Sequence, residues 1–326
     1  MTQQPILHIQ NLSVWFQGRS RGLGKGRHKP VRAVDGLNFD LYPQDTLALV
    51  GESGSGKTTV GRALMGLLRE AGGEIWFGET NVITASRKER LDLRTRMQMI
   101  FQDPFDAMNP RETVFKIVSE PLSIHRPQLT SRDRRKRVHT ALTDVGLSPA
   151  EDFVDRFPHE LSGGQRQRVL IAGSLILNPA LVIADEPVSM LDASLKVEIL
   201  NLLVKLQKKR SFAQLMITHD LALTRYVADR IAIMYLGRIV EQGPTRTVLN
   251  SPRHPYTRAL IDVVPTLDRA WDEKTVLSGE MTHPSNIPDG CRFHPRCPRA
   301  EDICLKTDPE QRITHGRMVA CHLAMA

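Results

Sequence analysis

The nine residues Gly51–Thr59, GESGSGKTT, constrain this chain more than any others. They fit G-x-x-x-x-G-K-[ST], with Gly51, Gly56, Lys57 and Thr58 at the fixed positions. Thr46–Val50 (TLALV), just before, reads as a short buried strand, and Leu64, Leu67 and Leu68, just after, fall at helical spacing. A strand end, a glycine-rich turn and a helix start form, in that order, a cradle for an anion. Glycine reaches backbone angles closed to other residues, so Gly51, Gly54 and Gly56 let the main chain approach a phosphate closely. The N–H groups of the loop then face the ligand together with the helix N-terminus. Glu52, Ser53, Ser55 and Thr59 are assigned to the same ligand site. Lys57 would reach the β- and γ-phosphates, and the Thr58 hydroxyl would bind Mg²⁺. A merely flexible Gly/Ser loop requires neither Lys57 and Thr58 nor the flanking strand and helix.

A chain of 326 residues can bury one large core, and two domains is the starting expectation. No apolar run approaches the length of a membrane span, and MTQQPILHIQ lacks the apolar centre of a signal peptide. A cytoplasmic protein is expected, with any membrane work left to partner chains. The net charge of +8 is largely local, in the dense runs Arg19–Lys29 and Arg132–Arg137. A solvated loop or helix face is the preferred reading of each. A membrane surface comes second, because basic residues favour anionic headgroups. Nucleic acid comes third and is not expected as a partner, since no aromatic residues interleave the runs.

Along the chain, Ile6–Phe16 alternates Leu12, Val14 and Phe16 on one face as a strand does. Val31–Leu41 alternates again about a turn expected at Asp35-Gly36. Glu74–Phe77 and Met97–Phe101 are short apolar runs with strand character. From Asp103 to about Pro179, proline, charge and helical spacing dominate, which predicts a helical subdomain inserted into the nucleotide-binding fold. Leu181–Ala184, Leu215–Thr218 and Ile231–Tyr235 then read as strands, alternating with helices over Ser194–Lys209 and Leu221–Val227. That alternation implies a parallel sheet covered by helices. Past Gly243, frequent prolines, weak periodicity and all four cysteines suggest a separate small module that needs something other than a large apolar core.

Two further motifs carry chemistry. Leu181–Glu186 (LVIADE) is an apolar strand ending in two carboxylates, and such strand ends face the ligand crevice of a parallel sheet. Asp185 can hold Mg²⁺, which leaves Glu186 free to polarise an attacking water. Alone, an Asp-Glu pair is more often a surface feature; beside a phosphate loop it becomes a water-activation hypothesis. Leu161, Ser162, Gly163, Gly164 and Gln165 spell LSGGQ ahead of RQRVLIA. Ser162 fits an N-cap and the glycines leave N–H groups open, so this is either a second anion-binding helix start or a plain helix cap.

LSGGQ between a phosphate loop and a strand ending in Asp-Glu resembles the ATP-binding subunits of ABC transporters. Gln102 in MIFQDP is similar to that family's glutamine loop, Ser189–Asp192 (SMLD) to its D-loop, and His219 in MITHD to its switch histidine. Phe16 resembles the aromatic that stacks on adenine, although its place in an alternating strand fits core packing equally. The resemblance covers about Ile6 to Gly243. Small departures stand at Ala172–Leu175 and at Met190, and neither removes a catalytic group. The resemblance implies an α/β P-loop NTPase of ABC type, with a parallel-sheet core, an antiparallel β subdomain and an inserted helical subdomain. It also implies two ATPase subunits meeting head to tail, each ATP lying between the phosphate loop of one and the LSGGQ of the other. Glu186, His219 and Gln102 would be catalytic, with Thr58, Gln102 and Asp185 holding Mg²⁺ and Asp192 serving the D-loop.

The C-terminal part narrows the resemblance. His254–Thr257 (HPYT), a proline-rich stretch and four cysteines look like the oligopeptide and dipeptide importers, a branch that includes some nickel importers. Residues 1–250 are then expected to form the ATPase domain, with its helical part at about 103–179, and 251–326 the extension. Cys291, Cys297, Cys304 and Cys321 are unlike a disulfide set in a cytosolic chain. Four thiolates in a short segment can hold zinc or an iron–sulfur cluster. Tight C-x₂₋₄-C pairs are absent, and Cys297 precedes a proline as ferredoxin ligands often do. The resemblance implies a [4Fe–4S] cluster; zinc ranks second and four reduced, unligated thiols third.

The resemblance further implies a second, non-identical ATPase subunit, two transmembrane permeases and, indirectly, an extracytoplasmic solute-binding protein. It implies a peripheral position on the cytoplasmic face of the membrane. Import of nickel or another solute is the nearest alternative. A soluble ABC ATPase acting on ribosomes or DNA ranks lower, because there is one cassette here and no sustained heptad. A binding module without turnover ranks below that, since Asp185, Glu186 and His219 are intact.

Overall fold

The computed structural model describes residues 4–17, 29–103, 107–263 and 281–324. Of the basic run 19–29, all but Lys29 lies outside the described residues. The described chain divides into two units.

The first to be considered comprises Leu7–Asp40, Thr46–Ile83 and the chain from Ile217 onward. It opens with strands β1 (Leu7–Phe16) and β2 (Val31–Leu41), followed by β3 (Thr46–Val50) and helix α1 (Lys57–Leu64). Strands β4 (Ala71–Phe77) and β5 (Thr80–Asn81) complete an antiparallel sheet of order β2-β1-β4-β5. Leu12 and Val14 of β1 are fully buried, as their alternation predicts. The turn expected at Asp35-Gly36 is not found: β2 runs through it as one strand. Gly36 takes a φ of 71°, which bends the strand without ending it, and the Asp35 N–H stays paired with the Gly237 carbonyl at 3.0 Å.

The other unit holds Leu41–Asp45 and Thr84–Met216. Helix α2 (Arg87–Arg96) leads into β6 (Met97–Ile100). The stretch expected to be helical contains α3 (Val114–His125), α4 (Ser131–Asp144), the short α5 (Glu151–Val154) and α6 (Gly163–Leu175), with α3, α4 and α6 packed on one another. Thr113, Thr130 and Ser162 cap α3, α4 and α6 through their side-chain oxygens, satisfying N–H groups that have no partner inside a helix. The basic run Arg132–Arg137 forms the solvated face of α4. Strand β7 (Leu181–Asp185) pairs in parallel with β6, from Met97↔Leu181 to Ile100↔Ala184. All five of its residues are buried, as a strand covered on both faces must be. Helix α7 (Ala193–Arg210) and β8 (Ala213–Thr218) follow, β8 contributing up to Met216 here.

The rest of the first unit contains α8 (Leu221–Val227), β9 (Arg230–Tyr235), β10 (Arg238–Pro244), α9 (Thr245–Asn250) and α10 (Pro255–Val263). Then come α11 (Asp302–Lys306), β11 (Arg312–Thr314) and β12 (Arg317–Val319). Strand β3 pairs in parallel with β9, β10 runs antiparallel to β9, and β12 adds antiparallel to β10 through Glu241↔Val319. The described residues after 250 fall in the same unit as the phosphate loop. They extend the sheet that carries the phosphate loop, and they share its core. Tyr256 and Phe293 pack with Tyr235, ring centroids 4.6–5.4 Å apart, in one cluster with Val50, Ile233 and Val248. Each such ring contributes about 1.5–3 kcal/mol by burial.

Candidate active site

The phosphate loop leaves β3 and ends in the first turn of α1. Gly56 sits at the N-cap with φ 107°, and a Cβ there would come within 2.1 Å of the Ala33 carbonyl oxygen, so glycine alone fits. Lys57 is buried and turned into the loop. Its Nζ donates to the Gly51 carbonyl at 2.8 Å and the Glu52 carbonyl at 2.9 Å, with the Ser55 Oγ at 3.5 Å. Ser55 is fully buried, Ser53 and Gly54 are exposed, and Thr58 and Thr59 are half-buried on the first turn of α1. Backbone N–H groups, a helix start and one ammonium thus meet in a loop of nine residues, which suits a polyphosphate.

Glu52 has partners that no local pattern in the sequence announces. Its N–H donates to the Tyr256 hydroxyl at 3.1 Å, and Arg296 donates to its two carboxylate oxygens at 3.0 and 3.2 Å. In the same unit, Phe16 ends β1 half-exposed, and Trp15 beside it carries the Arg32 guanidinium 4.6 Å from its ring centroid. His219 is exposed immediately after β8, ahead of Asp220, which caps α8 through the Leu223 N–H.

In the other unit, β7 delivers Asp185 buried and Glu186 half-buried at its end. Because β6 and β7 are parallel, their C-terminal ends lie on one side. Gln102, two residues beyond β6, thereby donates from Nε2 to Glu186 Oε2 at 3.3 Å. Glu186 has a φ of 45°, a strained angle for a residue with a side chain. The LSGGQ segment is a capping box. The Gln165 N–H donates to Ser162 Oγ at 3.3 Å, and the Ser162 N–H to Gln165 Oε1 at 3.0 Å. Leu161 is buried ahead of it, and Gly163 lies over Leu191, while a Cβ on Gly164 would stand 3.2 Å from a Leu195 methyl. Asp192 caps α7, accepting from the Leu195 N–H at 3.0 Å, and that bond together with the Ser194 hydroxyl holds its carboxyl below the usual range. Oxygen donors at Asp185, Gln102 and Thr58 are of the kind that Mg²⁺ takes.

All four cysteines are free thiols, Cys304 buried and the others half-buried. The Cys291 N–H donates to the Cys304 carbonyl at 2.8 Å. Burial pushes the Cys291 thiol up to about 11 and raises Cys297 and Cys321 as well, and the neighbouring cysteines add to each shift. Among the described residues, no three His, Cys, Asp or Glu side chains are set to hold one metal ion.

An anion cradle with its own buried lysine on an α/β scaffold defines a P-loop nucleotide site, and the capped LSGGQ helix narrows the class to the ABC ATPases. Comparison with known proteins agrees. Residues 34–189 match the ABC transporter family, and residues 240–304 match the oligopeptide/dipeptide transporter C-terminal region. The oligopeptide transport ATP-binding protein AppF of Bacillus subtilis is 42% identical, over 98% of each chain. The di/tripeptide transport ATP-binding protein DppF of Pseudomonas aeruginosa is 42% identical over 94% of each. Among solved structures, the dimeric post-hydrolysis state of the ATP-binding cassette MJ0796 bound to ADP and Pi aligns with a TM-score of 0.63 at 26% identity. It covers 74% of this chain and 99% of that one. The chain belongs to the ABC transporter ATPases that carry the oligopeptide/dipeptide transporter C-terminal region. It is an ATP-hydrolysing enzyme.

Proposed function

We propose that this ATPase powers the import of dipeptides or oligopeptides through partner permeases, as a peripheral subunit on the cytoplasmic face of the membrane. The observation that carries the reading is the likeness to AppF and DppF, which runs the length of the chain and includes the C-terminal region. No helix among the described residues is long and apolar enough to cross a membrane, so the pathway for the peptide belongs to other chains. Two transmembrane permeases, an extracytoplasmic solute-binding protein and a second, non-identical ATPase complete the assembly. Residues 1–250, with the helical part at about 103–179, carry the ATPase, and 251–326 the transporter-specific extension.

The loop Gly51–Thr59 binds the phosphates of ATP, Lys57 neutralises the β- and γ-phosphates, and Phe16 stacks on the adenine. Thr58, Gln102 and Asp185 would hold Mg²⁺, which when bound would screen the phosphate charge. Glu186 takes the proton of the attacking water, while Gln102, bonded to it, and His219 orient that water and the γ-phosphate. Leu161–Gln165 offers its open N–H groups to the ATP of the partner subunit, with Asp192 at the same junction. Closure on ATP and reopening after hydrolysis drive the permeases between their two states.

Cys291, Cys297, Cys304 and Cys321 would hold a [4Fe–4S] cluster. All four are reduced thiols, Cys291, Cys297 and Cys304 lie in the region similar to the oligopeptide/dipeptide transporter C-terminus, Cys297 precedes a proline, and the Cys291 N–H bonded to the Cys304 carbonyl links the segments of two of them. When bound, such a group would tie the segment around Cys291–Cys297 to Cys304 and Cys321. It takes no part in hydrolysis.

Uptake of labelled peptides by cells lacking the chromosomal copy tests the function. Import restored by this chain, and not by its Glu186→Gln variant, is expected. Restoration of nickel uptake without peptide uptake would overturn the reading.

A further inference from the structure

We propose that Arg296 and Tyr256 are positioning residues of the nucleotide site, through which the cysteine-bearing segment sets the phosphate loop's affinity for ATP. The inference rests on the ATP site proposed above. A carboxylate in a phosphate cradle is electrostatically adverse, and Glu52 is the second residue of this one. Three of its groups are held in place. The carbonyl takes Lys57, the N–H goes to the fully buried Tyr256 hydroxyl, and the carboxylate is paired with Arg296. The Arg296 side chain is 6% exposed, so this is a built pair rather than a surface contact. Burial pushes the Tyr256 hydroxyl's titration well above its ordinary range, which keeps it a neutral partner.

A second connection reaches the loop by another route. Arg292, also buried, donates to the Leu236 carbonyl and to Asp35. The next residue, Gly237, donates its N–H to the Ser55 carbonyl at 2.9 Å. The two arginines adjoin Cys291 and Cys297 in sequence. Whatever fixes that short segment fixes both contacts. Arg296 then acts twice on the loop, neutralising the Glu52 charge and fixing the backbone that faces the phosphates.

Titration of the full-length chain with a fluorescent ATP analogue and Mg²⁺ tests this. Arg296→Gln leaves Glu52 unneutralised and is expected to weaken binding roughly tenfold. The double variant Glu52→Gln/Arg296→Gln is expected to return to within about twofold of Glu52→Gln. A purely structural role for Arg296 predicts no such rescue. Arg296→Lys, which keeps the charge, should lose less than Arg296→Gln. Tyr256→Phe, which keeps the ring but removes the acceptor, should weaken binding about threefold or more. In the assembled ATPase these changes are expected in KM rather than kcat. Wild-type affinity in Arg296→Gln, or no rescue in the double variant, overturns the proposal. Should Arg296→Gln not fold, wild-type affinity in both Arg296→Lys and Tyr256→Phe overturns it. Failure of the wild-type chain to bind the analogue at all would instead refute the ATP site.

Discussion

At the scale of single residues, Glu186, the proposed base for the attacking water, carries backbone strain. A left-handed φ at a side-chain-bearing residue costs of order 1–3 kcal/mol, and such strain persists where the surroundings over-determine it. Here it stands at the end of a fully buried strand with Gln102 on the carboxylate. Glu186→Gln is expected to keep ATP binding and to lower hydrolysis in the assembled complex about 10²–10⁴-fold, measured by phosphate release. His254 illustrates a different cost. Complete burial drives its imidazole down to about 3, and its Nδ1 accepts the Tyr256 N–H at 3.0 Å. The unfolded chain binds a proton near pH 6.5 that the folded chain refuses until about 3. Stability is therefore full above pH 6.5 and is lost as pH falls through that window, by up to roughly 5 kcal/mol. His254→Asn, whose Oδ1 can accept the same N–H, should flatten the acid limb of a denaturation curve measured against pH. The Asp185-Glu186 pair was legible because a strand and a motif announce it. Arg296 was not, since its partner lies 244 residues away and neither position carries a local signature.

At the scale of elements, periodicity served the buried strands and the helices well. Leu221–Val227 is the helix its spacing predicts, and Leu181–Ala184 lengthens by one residue to Asp185. The capping chemistry of Ser162 was equally readable, because a cap is set by residues three apart. What misled was Gly36. A glycine after an aspartate reads as a turn, yet long-range pairing of Asp35 with Gly237 and Arg292 keeps β2 whole. The hairpin β11–β12 was too short to show a period. The LSGGQ helix yields a prediction at its own scale. Ser162→Arg removes the cap, at about 0.5–2 kcal/mol, and puts a bulky cation where the partner's nucleotide is proposed to sit. Nucleotide labelling of each subunit should find this chain's own loop still occupied and hydrolysis in the complex strongly reduced.

At the scale of the whole molecule, the C-terminal extension changes most between sequence and structure. Its prolines and weak periodicity hide two things that matter: aromatic residues that enter the core behind the phosphate loop, and a hairpin that pairs onto β10. Sequence patterns record local repeats, whereas Tyr256 and Phe293 are single residues whose burial depends on Tyr235. With that core in place, loss of the cysteine site should loosen the segment from about Pro284 without unfolding the ATPase. Protein prepared without oxygen should be brown and carry iron, and Cys304→Ser should lose both while still binding ATP. Stoichiometric zinc without iron would favour the single-ion site. As proposed, this chain supplies ATP turnover to a transporter, each site being completed by a facing LSGGQ. The most direct measurement is its ATPase rate alone and after assembly with the partner ATPase and permeases in lipid vesicles. A weak rate for the isolated chain and a clear rise on assembly, abolished by Glu186→Gln, are expected. An isolated chain that hydrolyses ATP as fast as the assembled transporter would contradict the proposal.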